Sequence, residues 1–335
     1  MLSKRIWNSV TILLIAIVGN PSNVLAGKSS TGTRASQRSF DFTYAAKIKE
    51  LPAGANVRVW IPIPPSNEHQ QVKRTSSSLP TSLSGIDVES KYANRIHYFA
   101  CQPAKSGMID FSVTYRVHRT EVRGLKSKVG TELTDGQRQL FLSASSKVPV
   151  GGKPVALLAE LRLPKDDPLR LGQLLYNKVD DHMKYDKSQP GYGTGDATWA
   201  CDSRFGNCTD FHSLFISMTR SQGVPARFEI GFPLPEKRGE GNVGGYHCWA
   251  FFHVNDHGWV PVDISEADKN PKLKKYYFGN LTENRVTFAV GRDLMLTPKQ
   301  NAPPLNFFVY PHVEVDGQVW PRDKMEKRFK FKDIN

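Results

Sequence analysis

Within residues 38–120 apolar side chains recur at every second position, a period that strands satisfy and helices do not. Phe40, Phe42, Tyr44, Ala46 and Ile48 alternate with mostly polar residues. Val57, Val59, Ile61 and Ile63 repeat the pattern up to Pro64-Pro65, and Ile109, Phe111, Val113, Tyr115 and Val117 give it a third time. Strands of this kind turn one face to a core and one to water. With a further strand at residues 96–101, the stretch reads as a small antiparallel β-sandwich.

At Asp167-Pro168 the period changes. Asp167 suits a helix N-cap and Pro168 the first helical position, and Leu171, Leu174, Leu175, Val179 and Met183 follow at helical spacing. The run Pro190-Gly191-Tyr192-Gly193-Thr194-Gly195 can only be a loop. A second helix opens at Gly206-Asn207-Cys208, carries Phe211, Leu214, Phe215 and Met218 on one face, and stops at Gly223-Val224-Pro225. Strands are expected at residues 227–232, 246–254 and 259–264, the last two joined by Asn255-Asp256-His257-Gly258. Further strands at residues 285–290, 305–310 and 312–315 are expected to complete this second region. A short helix is expected near residues 135–143. The resulting division is an export signal over 1–26, a flexible lead over 27–37, the β-sandwich over 38–120, a connecting region over 121–160 and a catalytic α+β domain over 161–335.

The export reading rests on Lys4 and Arg5, the apolar run from Val10 to Val18, and Val24-Leu25-Ala26 as a small-residue cleavage site. That run stops at Gly19-Asn20-Pro21, short of the ~20 apolar residues a membrane span requires. The expected location is therefore outside the cytoplasm, periplasmic or secreted, with no stable membrane span. The formal net charge of +13 suits anionic surroundings, an envelope polymer among them. The basic residues are scattered and not interleaved with aromatics, which argues against nucleic acid. Four cysteines in an exported chain invite a disulfide, and a bridge among Cys101, Cys201 and Cys248 is open in each pairing.

Cys208 is the residue that carries chemistry. A cysteine attacks only as thiolate, and an ordinary thiol with pKa of about 8.5 is largely protonated at neutral pH. A helix start supplies unpaired N–H groups and the positive end of a dipole, which favour the thiolate and later an oxyanion. His247, on the strand that follows the helix, is placed to take the thiol proton, with Trp249 and Phe251 on the same face. Asp263, at the end of the neighbouring strand, would orient the histidine; the two share a face only if the hairpin loop holds an odd number of residues. Asp210 reads as a first-turn acid that favours the dipole. A zinc site from Cys208, His212, His247 and Cys248 is disfavoured, because adjacent residues on a strand point to opposite faces.

The blocks Gly206-Asn207-Cys208-Thr209-Asp210-Phe211-His212, Arg220 with Gly223-Val224-Pro225-Ala226-Arg227, Gly245-Tyr246-His247-Cys248-Trp249-Ala250 and Gly258-Trp259-Val260-Pro261-Val262-Asp263 occur in this order. Together they resemble the core of the transglutaminase-like superfamily. The resemblance implies a papain-like α+β core with a catalytic triad of Cys208, His247 and Asp263, and Trp199 as a helper of the oxyanion hole. It implies cysteine-dependent acyl transfer on a peptide or protein amide, hydrolysis first, with no cofactor and no metal. A transamidase using an amine acceptor and a non-catalytic envelope binding or assembly protein are the alternatives.

Overall fold

The computed structural model describes residues 34–81, 84–126 and 132–334; the expected export signal lies outside them. The alternation in residues 38–120 forms strands as expected. Phe40, Phe42, Tyr44, Ala46 and Ile48 on strand Gln37–Ile48 are all fully buried. One five-stranded antiparallel sheet runs in the order Glu240–Asn242, Met325–Asp333, Gln37–Ile48, Ile109–Thr120 and Gln70–Ser78. A second runs in the order Gln318–Val319, His312–Val315, Val57–Ile63, Arg95–Cys101 and Ser84–Val88. Phe99 of one sheet meets Phe111 of the other edge-on at 5.6 Å.

Two features of these sheets differ from the expectation. Residues 312–333, expected to complete the second region, pair instead with the first: Phe331 lies opposite Phe42, and Val313 opposite Val59. Both ends of the described chain are thus woven into the same sandwich. The strand expected at residues 305–310 is absent, and this stretch makes only an isolated bridge between Leu305 and Leu294. Pro303, Pro304 and Pro311 remove ladder donors around it, which explains why its apolar residues do not pair. Conversely, Gln70–Ser78 is a strand without apolar alternation, because most of it is exposed on both faces.

The remaining elements build the second layer. Helix Pro168–His182 starts as expected, with the Asp167 carboxylate accepting from the Arg170 N–H at 2.9 Å. Helix Asp135–Leu142 starts in a reciprocal capping box between Thr134 and Gln137. A four-stranded antiparallel sheet runs in the order Gly258–Val262, His247–Val254, Ala226–Pro233 and Arg285–Val290. Helix Cys208–Ser221 packs on this sheet and is buried from Cys208 through Arg220. At its far end the Arg220 guanidinium donates to the Ala226 carbonyl at 3.0 and 2.7 Å and to the Ser143 carbonyl at 2.7 Å. Those bonds pair a buried charge while anchoring the helix to the strand that follows it.

The fold is therefore α+β, with a helix that bears the cysteine lying on an antiparallel sheet that bears the histidine. Its two regions share one apolar core: Phe42 touches Phe329 within its own sheet and Phe232 and Phe288 of the four-stranded one. Phe42→Ala is expected to cost about 3–5 kcal/mol. Denaturant unfolding should show one shifted transition, with exposure of the Cys208 thiol and loss of sheet signal coinciding.

Candidate active site

The position of Cys208 is set locally. Asn207 is extended (φ −103°, ψ −172°), and its side chain accepts from the Thr209 N–H at 2.8 Å. The Asp210 carboxylate reaches back to the Asn207 N–H at 3.0 Å, which completes a capping box and makes Cys208 the first helical residue. The Cys208 N–H has no partner among the described residues, as expected at a helix start. Asp210 does more than favour the dipole. It also accepts from the N–H groups of Gly193 at 2.7 Å and Gly195 at 2.9 Å, so one buried carboxylate pins the glycine-rich loop to the helix start. Gly195 has φ +61°, and a Cβ there would lie 2.7 Å from the Arg292 guanidinium and from Thr209.

The hairpin that supplies the other two groups has Val254 opposite Gly258, leaving three loop residues, Asn255, Asp256 and His257. Gly258 takes φ +69° to close it. The odd count puts Asp263 on the face of His247. The His247 Nε2–H donates to Asp263 Oδ2 at 2.8 Å, which leaves Nδ1 as the nitrogen available to the Cys208 thiol, the group whose ionisation is linked to that of the imidazole. Cys208, His247 and Asp263 are 3%, 6% and 0% exposed.

Charge flows along this row. Burial opposes ionisation of Asp263, yet the charge and hydrogen bond of His247 and the charge of Arg285 hold its carboxyl well below the usual carboxylate range. Burial would also lower His247, but the Asp263 charge, its hydrogen bond and the bond to Cys208 push the imidazole up to about 10. Burial pushes the Cys208 thiol up; hydrogen bonds from Cys248 and His247 and the charge of His247 outweigh it and hold the thiol well below its ordinary value. Both shifts favour a thiolate–imidazolium pair over the neutral one.

All three residues fall inside residues 155–264, which match the family model of the transglutaminase-like superfamily. This stretch is a transglutaminase-like core. An uncharacterized protein of Haemophilus influenzae is 26% identical, the alignment spanning 96% of this chain and 97% of that one. YebA, an uncharacterized protein of Bacillus subtilis, is 28% identical over 21% of this chain and 11% of its own. A crystal structure from Cytophaga hutchinsonii, described as a candidate cysteine protease, superposes with a TM-score of 0.50 at 15% identity, covering 89% of this chain and 100% of that one. That likeness is one of fold.

Around the transglutaminase-like row stand residues that sequence reasoning missed or misjudged. Arg285, fully buried apart from a few per cent, donates to Asp263 Oδ2 at 3.0 Å and lies 4.7 Å over the Trp249 ring. Its one sequence signal is a cation at the head of an otherwise apolar strand, Arg285–Val290. His212, weighed above only as a zinc ligand, is a brace. The Ile264 N–H donates to its Nε2 at 3.1 Å, so Nδ1 carries the proton and donates to the Cys208 carbonyl at 2.7 Å. Burial, helped by the charge of His247, pushes its pKa down to about 4, and the ring stays neutral. One imidazole thus ties the nucleophile's backbone to the residue after Asp263.

The Cys248 sulfur lies 3.7 Å from His212 Nδ1, and its ionisation is linked to that of Cys208. Burial and the Cys208 charge push its thiol well above the ordinary value, so it stays a donor. His247 and Cys248, although neighbours on a strand, both act on the ionisation of Cys208. All four cysteines are free thiols. Trp199 packs edge-on against Phe205 at 5.3 Å and beneath Gly191, and its indole N–H donates to no described residue.

His247, Asp263 and Glu266 bring three possible metal-ligand atoms within 4.8 Å of one another. Arg285 and Lys269 already bond the two carboxylates, and a protonated His247 has no lone pair to offer, so these residues suit an internal ion-pair network better than a cation.

The charges predict a pH profile. Since Cys208 titrates well below its ordinary value, its alkylation by iodoacetamide should stay nearly constant between about pH 6 and 9 instead of rising tenfold per unit toward ~8.5. Asp263→Asn, which removes the charge that holds His247 protonated, should restore that rise. His212→Phe leaves the buried Ile264 N–H without its acceptor and should cost about 1–3 kcal/mol, read as a fall in thermal midpoint.

Proposed function

We propose that this protein is a cysteine-dependent acyl-transfer enzyme that hydrolyses amide or peptide bonds, with Cys208, His247 and Asp263 as its triad. The observation that carries the reading is a buried Cys208 at a helix start, whose ionisation is linked to that of His247, with the His247 Nε2–H donating at 2.8 Å to a fully buried Asp263. The match to the transglutaminase-like family supports it.

The chemistry follows from those charges. The Cys208 thiolate adds to the carbonyl carbon of the amide, forming a C–S bond and an oxyanion for which the N–H of Cys208 is an available donor. The His247 imidazolium gives its Nδ1 proton to the amine nitrogen as the C–N bond breaks, leaving a thioester. Nδ1 then takes a proton from water, whose oxygen adds to the thioester carbon, and Cys208 leaves as thiolate. Asp263 holds the imidazole in one orientation and stabilises its charged form, while Arg285 keeps Asp263 ionised. The Trp199 indole N–H, which donates to no described residue, is a second candidate donor to the oxyanion. Residues 1–26 are read as an export signal, which places the substrate outside the cytoplasm. Among the described residues no helix is long and apolar enough to cross a membrane.

Cys208→Ala should abolish labelling by a thiol-directed acylating probe, and undiminished labelling rejects the assignment. Asp263→Asn should slow that labelling by about 10²–10⁴-fold, the usual range for disabling an acid–base pair. Release of free carboxylate from a quenched peptide library should proceed without added amine. Incorporation of a fluorescent amine into a glutamine-containing protein, at a rate above hydrolysis, would instead make the enzyme a transamidase.

A further inference from the structure

A cavity of about 270 Å³ lies beside the site, walled by the irregular segment that precedes residue 312 and by the chain that follows it. That is near the low end of small-molecule pockets, at roughly 300–1,000 Å³, and is room for a side chain or two. Its apolar wall includes Phe307, Tyr310 and Trp320, all half-buried.

Two of these rings connect it to the nucleophile. Phe307 and Tyr310 lie 5.6 and 5.8 Å from the ring of Tyr246, centroid to centroid. The Tyr246 hydroxyl in turn accepts from Asn207 Nδ2 at 3.2 Å and bonds Thr209 Oγ1 at 2.9 Å, the residues on either side of Cys208. The Tyr246 N–H, one residue before His247, is 3.4 Å from the Tyr310 hydroxyl oxygen. One aromatic ring therefore separates the cavity from the helix start.

The rim is basic. Arg322 and Lys327 line the cavity, and neither has a carboxylate partner within 4.0 Å among the described residues; Lys327 lies 5.1 Å over the Tyr310 ring. Of the neighbouring acids, two are engaged elsewhere, and exposed Asp323, next to Arg322 in sequence, makes no ion pair within 4.0 Å among the described residues. Glu314 is buried against Arg58 and His312, Glu326 pairs with Lys49, and the nearby Lys324 pairs with Glu50. Two unpaired cations at the edge of an aromatic hollow complement an acidic group attached to an apolar one.

We propose that this cavity is the substrate-recognition site of the enzyme, and that it takes an apolar or aromatic side chain of a peptide whose adjacent residue carries a carboxylate. The inference rests on the acyl-transfer reading. It assigns Tyr246 as the partition between recognition and reaction, and residues 303–311, which fail to form a strand, as a wall of the recognition site.

The test uses peptidyl acyloxymethyl ketones, which the thiolate attacks to form a C–S bond as the carboxylate leaves. One probe carries Phe next to Asp, a second Phe next to Lys, a third Ala next to Asp. Rates are divided by the iodoacetamide rate of the same protein. The Phe–Asp probe should react about five- to tenfold faster than either of the others, the size two exposed charge pairs can supply, with the Asp preference shrinking as salt is raised. The double substitution Arg322→Glu with Lys327→Glu should erase or invert the Asp-over-Lys preference. Equal rates for Asp and Lys probes, or a preference that survives the double substitution, overturns the proposal while leaving the triad standing. Failure of iodoacetamide itself to modify Cys208 removes the acyl-transfer reading and this site with it.

Discussion

A carboxylate cut off from water holds the site together. Asp263 is fully buried, and an ionised carboxylate so placed persists only when cations and donors surround it. His247, Arg285, Ser265 and the N–H of Glu266 do so, with His212 3.9 Å away. Much of the local architecture follows from that requirement. Asp263 is also the N-cap of helix Ile264–Lys269, so the same group that sets the histidine's charge ends the strand and starts the helix. The raised imidazole and the lowered thiol are consequences passed outward from this charge, one hydrogen bond at a time.

A second buried carboxylate, Asp210, does for the loop what Asp263 does for the base. It gathers three backbone N–H groups from the glycine-rich loop and the helix start. Burial nevertheless pushes its own carboxyl up, so the two acids differ for a plain reason. Asp263 is ion-paired directly with Arg285 and His247, whereas Asp210 accepts from N–H dipoles beside the negative charge of Cys208 and feels Arg292 without an ion pair to it. Rigid placement of the sulfur thus comes from three directions: a local capping box, the Asp210 clamp and the His212 brace to the strand end.

Much of this was legible in the order of residues. Period-two alternation located the strands of residues 38–120, and Asp167-Pro168 and Asn207-Cys208 marked their helix starts, because capping and alternation are short-range effects that leave marks a few residues apart. The odd hairpin loop was readable as a condition, and Gly258 met it. The polar strand Gln70–Ser78 left no mark, since a strand exposed on both faces has no pattern to show. The segment 305–310 left a misleading one: apolar residues between prolines pack as irregular chain against the core without a ladder. Arg285, Asp210 and His212 were invisible as site residues, because each acts across a sequence separation that no local window spans, or through a backbone group that sequence does not distinguish.

What the sequence alone determined is therefore the choice of candidate groups and their secondary-structure positions: a cysteine at a helix start, and a histidine and an aspartate at adjoining strands. Those depend on capping chemistry, on the pitch of strands and on the parity of one short loop. Tertiary structure alone decided the protonation of those groups, the neutral brace and the closing of the sandwich by residues 312–333. Each of these rests on desolvation and on contacts between distant parts of the chain, and neither burial nor distance exists until the chain has folded.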